Sequence, residues 1–315
     1  MSDNDYEKIV HKLAFAAINE QKRARRWRIF FLFAFFAYMT PVLLLLLDLG
    51  GDGYSGKAVD KDEKHTALVR LSGVIASGEE AGAESMVSGI EAAFASKATK
   101  AVILEINSPG GSPVQSSYIY DEIRRLRGKY ENIPFYVVVA DIAASGGYFV
   151  ASAADKIYVN QSSLVGSIGV RMDNFGFVDL IQKLGIERRL ITAGENKGLL
   201  DPFLPEDQGQ KAHLQAMLNE VHQHFINAVK QGRGDKLSEH ADLFSGLIWT
   251  GEKAIELGLV DDYGTTKSVA RDVIGAETLV DFTPKNALLE RIADRIGASV
   301  TENIWRFLGE GIRYN

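Results

Sequence analysis

AVILEINSPGGSPVQSSYIYDEIRRLRGKYENIPFYVVVADIAASGGY, residues 101–148, decides the fold. The run AVILEI at 101–106 is continuously apolar, the pattern of a strand buried on both faces. A proline then opens a helix over Pro113–Arg127, with apolar residues spaced as Tyr118, Ile119, Ile123 and Leu126. FYVVVA at 135–140 repeats the buried-strand pattern, and a further helix is expected from about Gly146 to Ala154. Strand, helix, strand, helix in that order predicts parallel strands with helices around them.

Outward from this unit the alternation continues. TALVRLSG at 66–73 reads as a strand and Glu84–Ser96 as a helix. Strands are expected at 156–159 and 164–170, a helix at Phe177–Leu184, an extended piece at Glu187–Thr192 and a long helix over 206–231. A shorter α/β segment runs to about 282. The tail Asn286–Ile312 places Leu289, Ile292, Ile296, Val300, Ile304 and Phe307 on one amphipathic face.

Ahead of the first strand, Leu49–Lys64 is rich in glycine and charge and reads as a linker. Residues Ile29–Leu47, IFFLFAFFAYMTPVLLLLL, are uncharged. Nineteen residues at about 1.5 Å each reach roughly 28 Å, close to the hydrocarbon thickness of about 30 Å. Lys22, Arg23, Arg25, Arg26 and Arg28 precede this run, whereas Asp48 and Asp52 follow it. Positive charge stays inside, so the expectation is an uncleaved single-pass anchor of a bacterial cytoplasmic membrane, its N-terminus cytoplasmic and about 260 residues exported. The expected division is a basic N-terminus (1–28), an anchor (29–47), a linker (48–64), a folded domain (65–283) and a C-terminal amphipathic helix (284–315).

The chain has 315 residues, a formal net charge of -6 and no cysteine. The charge gives no reason to expect a nucleic-acid partner. The missing cysteines exclude disulfides, thiolate metal sites and cysteine nucleophiles, and no metal or cofactor is expected.

Two strand ends carry unusual turns. In Asn107-Ser108-Pro109-Gly110-Gly111-Ser112-Pro113 the glycines allow a backbone that aims free N–H groups at an anion, although such turns also serve as turns alone. In Ala143-Ala144-Ser145-Gly146-Gly147-Tyr148 small residues flank a serine where a helix starts. That serine suits a nucleophile at a sharp bend, or equally a helix cap.

A nucleophilic serine needs a base. Of the six histidines, none lies between His65 and His213, and His213, His222 and His224 space as a solvated helix face. A lysine takes that part where burial in an apolar site brings its pKa from about 10.4 toward 7–8. Lys197 sits between glycines and apolar residues in Ala193-Gly194-Glu195-Asn196-Lys197-Gly198-Leu199-Leu200-Asp201-Pro202-Phe203. An ordinary exposed loop lysine is the competing reading.

The ordered motifs SPGG, ASGGY with ASAADKIY, VGSIGV, TAGENKGLLDPF and WTGEKAIELGLVDDYG resemble the signal peptide peptidase A (SppA/SohB-like) family, in its short single-domain form, from about Thr66 to Gly264. The resemblance implies a ClpP/crotonase-like α/β fold and a Ser-Lys peptidase. It implies Ser145 as nucleophile, Lys197 as general base, and the N–H groups of Gly111 and Gly146 as oxyanion hole, supported by Gly110. It implies that Ser167 hydrogen-bonds and orients the lysine. The implied substrates are apolar peptides such as signal-peptide remnants, and the implied assembly is a homo-oligomeric ring. Two other readings stand beside it: a crotonase-type acyl-CoA enzyme, and a non-catalytic membrane scaffold.

Overall fold

The computed structural model, which describes residue 15 and residues 19–40 and 63–284, places the run 101–106 inside an eight-stranded sheet. The chain divides into two compact units, Met1–Ala58 and Val59–Asn315. In the first, residues 19–40 form a helix, α1. Of the expected anchor, residues 29–40 are helical and 41–47 lie outside the described residues. Among the described residues no helix is long and apolar enough to cross a membrane. Most of the expected linker and the C-terminal amphipathic helix also lie outside the described residues.

In the second unit, β1 (His65–Ser72), β2 (Thr99–Ser108) and β3 (Phe135–Ala144) run parallel, with α2 (Ala83–Ala95) and α3 (Pro113–Lys129) as crossovers. Ala101, Val102, Ile103, Leu104 and Ile106 are all fully buried, because helices cover one face of β2 and a second cluster covers the other. Val102, Leu104 and Ile106 join the larger core with Ile119, Ile123 and Tyr148. Ile103 packs opposite, with Leu68, Val138, Tyr158 and Val269. Each such side chain contributes about 1.5–3 kcal/mol on leaving water.

β3 is long enough to hold two neighbours in succession. Tyr136–Val138 pairs with β4 (Lys156–Val159), and Ile142–Ala144 pairs with β5 (Leu164–Gly166). The path through the sheet is β6-β5-β3-β2-β1-β8, with β6 at Ile248–Thr250 and β8 at Leu279–Asp281, and β7 (Asp262–Tyr263) pairs with β4; among the described strands the β5–β6 pairing alone is antiparallel. α4 (Gly146–Ala151) leaves the end of β3, and α5 (Val178–Lys183) lies in an exposed segment. α6 (Gln208–Arg233) is capped by Asp207, whose carboxylate accepts from the Gln210 N–H. Its Gly232 lies against the Ser152 carbonyl, where a Cβ would come within 1.8 Å. That contact fixes α6 against the last turn of α4.

Two expected pieces differ. The strand expected over 164–170 stops at Gly166, because Ser167 turns to a φ of 53°. Glu187–Thr192 forms no strand; its residues are exposed and pair with no ladder.

Candidate active site

The site is built where β2 and β3 end. Ser145 follows the last residue of β3 and caps α4, with φ 51° and ψ -123°. A non-glycine residue there costs on the order of 1–3 kcal/mol and persists only where its surroundings over-determine it. Here both neighbouring peptide groups are held. The Ser145 N–H donates to the Gly166 carbonyl at 2.8 Å, and the Ser145 carbonyl accepts the Phe149 N–H at 2.9 Å. The hydroxyl-bearing residue therefore projects from a fixed bend and is half-buried.

Gly146 is the first residue of α4, so its N–H has no helical acceptor. Gly111 pairs with Ile75 in a parallel bridge. In that bridge the Ile75 N–H donates to the Gly110 carbonyl at 2.9 Å, and the Ser112 N–H donates to the Ile75 carbonyl at 2.7 Å. A trans peptide points its N–H opposite to its C=O. With the Gly110 carbonyl aimed at Ile75, the Gly111 N–H must aim the other way, toward Gly146. A Cβ placed on Gly146 would lie 3.2 Å from that nitrogen. The Gly111 nitrogen and Gly146 thus lie side by side at the Ser145 bend.

Glycine is obligatory at this crossing. A Cβ on Gly111 would meet the Ile75 carbonyl oxygen at 2.1 Å, and one on Gly110 would meet Ser145 Cβ and the Gly146 nitrogen, each at 2.7 Å.

These residues open onto one cavity of about 970 Å³. Gly110, Gly111, Ser145, Gly146 and Ser167 all line it, with an apolar wall from Val74, Val114, Phe149, Val221 and Phe225. Three non-glycine residues with positive φ occur among the described residues, and two of them, Ser145 and Ser167, are in this lining. The ionisable side chains of the lining are Tyr118, Arg171 and His224; no carboxylate is among them.

Lys197 stands apart. It lies in the turn Gly194–Leu200, is exposed, and is not part of this lining. Its neighbours Glu195 and Gly198 line a second cavity of about 750 Å³ with α6 residues such as Leu214 and Leu218. The segment around it carries exposed apolar side chains, among them Phe175, Leu180, Leu184, Ile186 and Ile191, the last 97% exposed.

Two histidines that sequence spacing assigns to a solvated face have definite places. His224 lines the Ser145 cavity. His222 Nε2 lies 3.0 Å from the Ile168 carbonyl, next to Ser167. His224 is exposed, as the solvated-face reading expects, and its spacing from Val221 and Phe225 sets it at the rim of the cavity.

Comparison with known proteins bears on this geometry. The Peptidase family S49 profile matches residues 127–278, and the Clp protease profile matches residues 66–164. Both ranges contain Ser145. A Na(+)/H(+) antiporter NhaA of Brucella abortus is 44% identical over 241 residues, 75% of this chain and 33% of that protein. A putative protease of Methanocaldococcus jannaschii is 37% identical over 172 residues, 55% of this chain and 54% of its own. A putative protease of Synechocystis sp. is 32% identical over 237 residues, 73% of this chain and 80% of its own. The chain thus spans a third of the first of these relatives and about half of the second.

Proposed function

Because this chain belongs to peptidase family S49, a family of serine peptidases, we propose that Ser145 attacks peptide carbonyls with Lys197 as its general base. One observation carries the proposal: the strained Ser145 bend, with Gly111 and Gly146 beside it, lines a cavity with an apolar wall.

In the proposed reaction, neutral Lys197 Nζ takes the Ser145 hydroxyl proton as Oγ bonds to the carbonyl carbon. The negative charge gathers on the carbonyl oxygen, which accepts from Gly111 and Gly146, each N–H worth about 3–4 kcal/mol. On collapse the C–N bond breaks, and the lysine ammonium returns the proton to the leaving amine. Water, deprotonated by the same amine, then hydrolyses the acyl-enzyme. Ser167 holds the amine in register.

Lys197 is exposed and outside the Ser145 cavity, so we place it at Ser145 of a neighbouring copy. The apolar side chains around it support this, since among the described residues Phe175 stays 73% exposed and Ile191 97% exposed. A ring of copies would put each lysine loop over the next serine. The apolar wall favours apolar peptides, of the kind left by cleaved signal sequences, and anchoring through 29–47 would hold the site at the outer face of the membrane.

His224 offers a second reading, an imidazole base within one chain, because it lines the cavity directly. The two readings part in one experiment. Full-length wild type, S145A, K197A and H224A are assayed in detergent for cleavage of an apolar peptide and for labelling by a serine-reactive probe. S145A and K197A are expected to lose about 10³-fold or more in kcat/KM, whereas H224A keeps most of it. Coexpressed S145A and K197A chains are expected to recover partial activity, since each supplies what the other lacks. Retained turnover in K197A with loss in H224A transfers the base to the histidine. An unlabelled, inactive wild type ends the peptidase reading.

A further inference from the structure

We infer that Ser108 is a positioning residue of the oxyanion hole: its hydroxyl, together with the Ile75 N–H, holds the Gly110 turn that directs the Gly111 N–H. The inference rests on the peptidase reading above and adds a residue to its machinery.

Ser108 ends β2 and is fully buried. Its hydroxyl donates to the Gly73 carbonyl at 2.6 Å and accepts the Gly110 N–H at 3.1 Å. A serine capturing the N–H two residues on makes a local turn that competes with the strand ladder. Here that capture ends β2 and begins the glycine turn.

Gly110 needs such a hold. Its φ is 101°, a conformation without side-chain restraint, and it is followed by a second glycine. The chain grips it at two points. Its carbonyl accepts from Ile75 and its N–H donates to Ser108. With both peptide planes fixed, the Gly111 N–H has one direction. Remove the Ser108 oxygen and the first plane is free to rotate about the glycine. The freed Gly110 N–H is buried and will seek another acceptor, turning the second plane with it.

Ser108 touches neither substrate nor the reacting atoms in this arrangement, so its loss should fall on the transition state and spare ground-state binding. A structural serine alone would lower the melting temperature and leave kcat in place.

The test is Ser108→Ala in the full-length protein, beside wild type and S145A, with steady-state peptide hydrolysis, binding of a peptidyl boronate and thermal melting. The expected result is a kcat lower by about tenfold or more, part of the 10²–10³-fold that loss of a whole oxyanion donor costs. KM should stay within about twofold, and boronate affinity should fall by the same factor as kcat/KM, because the tetrahedral adduct reads the same two N–H groups. A folded S108A with unchanged kcat, or with its whole loss in KM, overturns the inference. Should S108A not fold, S108C keeps the volume with a weaker acceptor and is judged by the same criterion. If neither folds, the serine is a folding determinant and the inference falls. An inactive, unlabelled wild type would instead fail the peptidase reading, and is distinguished because S108A is never reached.

Discussion

Gly146 illustrates how much of this site is decided by the absence of a side chain. Its missing Cβ would lie 2.4 Å from Ser116 Oγ, and that hydroxyl donates to the Ser112 carbonyl at 3.0 Å beneath the cavity. At Gly111 the obstacle is the Ile75 backbone, which cannot be moved without breaking the bridge. The two glycines should therefore behave differently on substitution. Gly111→Ala is expected to be inactive and uncorrectable by a second change. Gly146→Ala should lose about 10–100-fold in kcat, and removing the obstructing oxygen in G146A/S116A should return part of it, a coupling that a double-mutant cycle measures. Additive losses in the double variant would show that the two atoms do not compete. Ser145, Gly110, Gly111 and Gly146 were legible in sequence because glycine and small residues at strand ends announce a tight turn. Ser108 and Ser116 were not, because their roles depend on contacts such as that with Gly73, 35 residues away, which no local pattern encodes. Lys197 was singled out by its loop of glycines and apolar residues and assigned as base through the family resemblance, and one chain leaves it exposed.

At the scale of elements, α4 is six residues long and far too short to hold itself. Its position comes from its neighbours. Tyr148, fully buried, donates its hydroxyl to the Leu259 carbonyl at 2.7 Å, and burial pushes that hydroxyl's pKa up, so it remains a neutral donor. Gly232 of α6 packs on the Ser152 carbonyl at the other end. Tyr148→Phe should leave the ring packed and strand the Leu259 acceptor, costing about 1–3 kcal/mol in denaturant unfolding. Because α4 carries Gly146 at its first position, the same variant should also lower kcat. A stability loss with no kinetic change would mean that Ser145's own two backbone bonds suffice to set the bend. The main strands and helices were readable because β2 and β3 are buried on both faces and α3 and α6 carry clear apolar stripes. Sequence overran at 164–170 because the apolar pattern continues through Ile168 and Val170, while the backbone turns at Ser167 to pair with Leu247. That turn is a long-range event without a residue type that announces it.

For the whole molecule, one ionic cluster joins the C-terminal end of α6 to the sheet behind the site. Arg233, its side chain wholly buried, donates to Asp261 at 2.7 Å and to the Gly258 carbonyl at 3.0 Å. Asp261 also accepts from Lys236 at 2.6 Å and from the Ile157 N–H at 2.8 Å. Desolvation pushes the Asp261 carboxyl upward, and the Arg233 and Lys236 hydrogen bonds outweigh it, leaving the pKa below the usual carboxylate range. A carboxyl depressed in the folded state stabilises above its unfolded pKa of about 3.9 and loses that contribution as pH falls through the folded value. The contribution is thus fully present above about pH 5 and fades below pH 4. Asp261→Asn removes the charge while Arg233 keeps its own in a dry site with one Nη without a partner. The expected cost is about 3 kcal/mol at pH 7, the low end for breaking a buried pair, because Lys236 is half exposed and readily rehydrated. The difference between wild type and D261N should narrow steadily from pH 5 to pH 3 in equilibrium unfolding, as protonation takes from the wild type what the substitution has already removed. A gap that stays constant over that range would mean that Asp261 acts through shape and hydrogen bonding alone, and that its charge does not fasten α6 to the sheet.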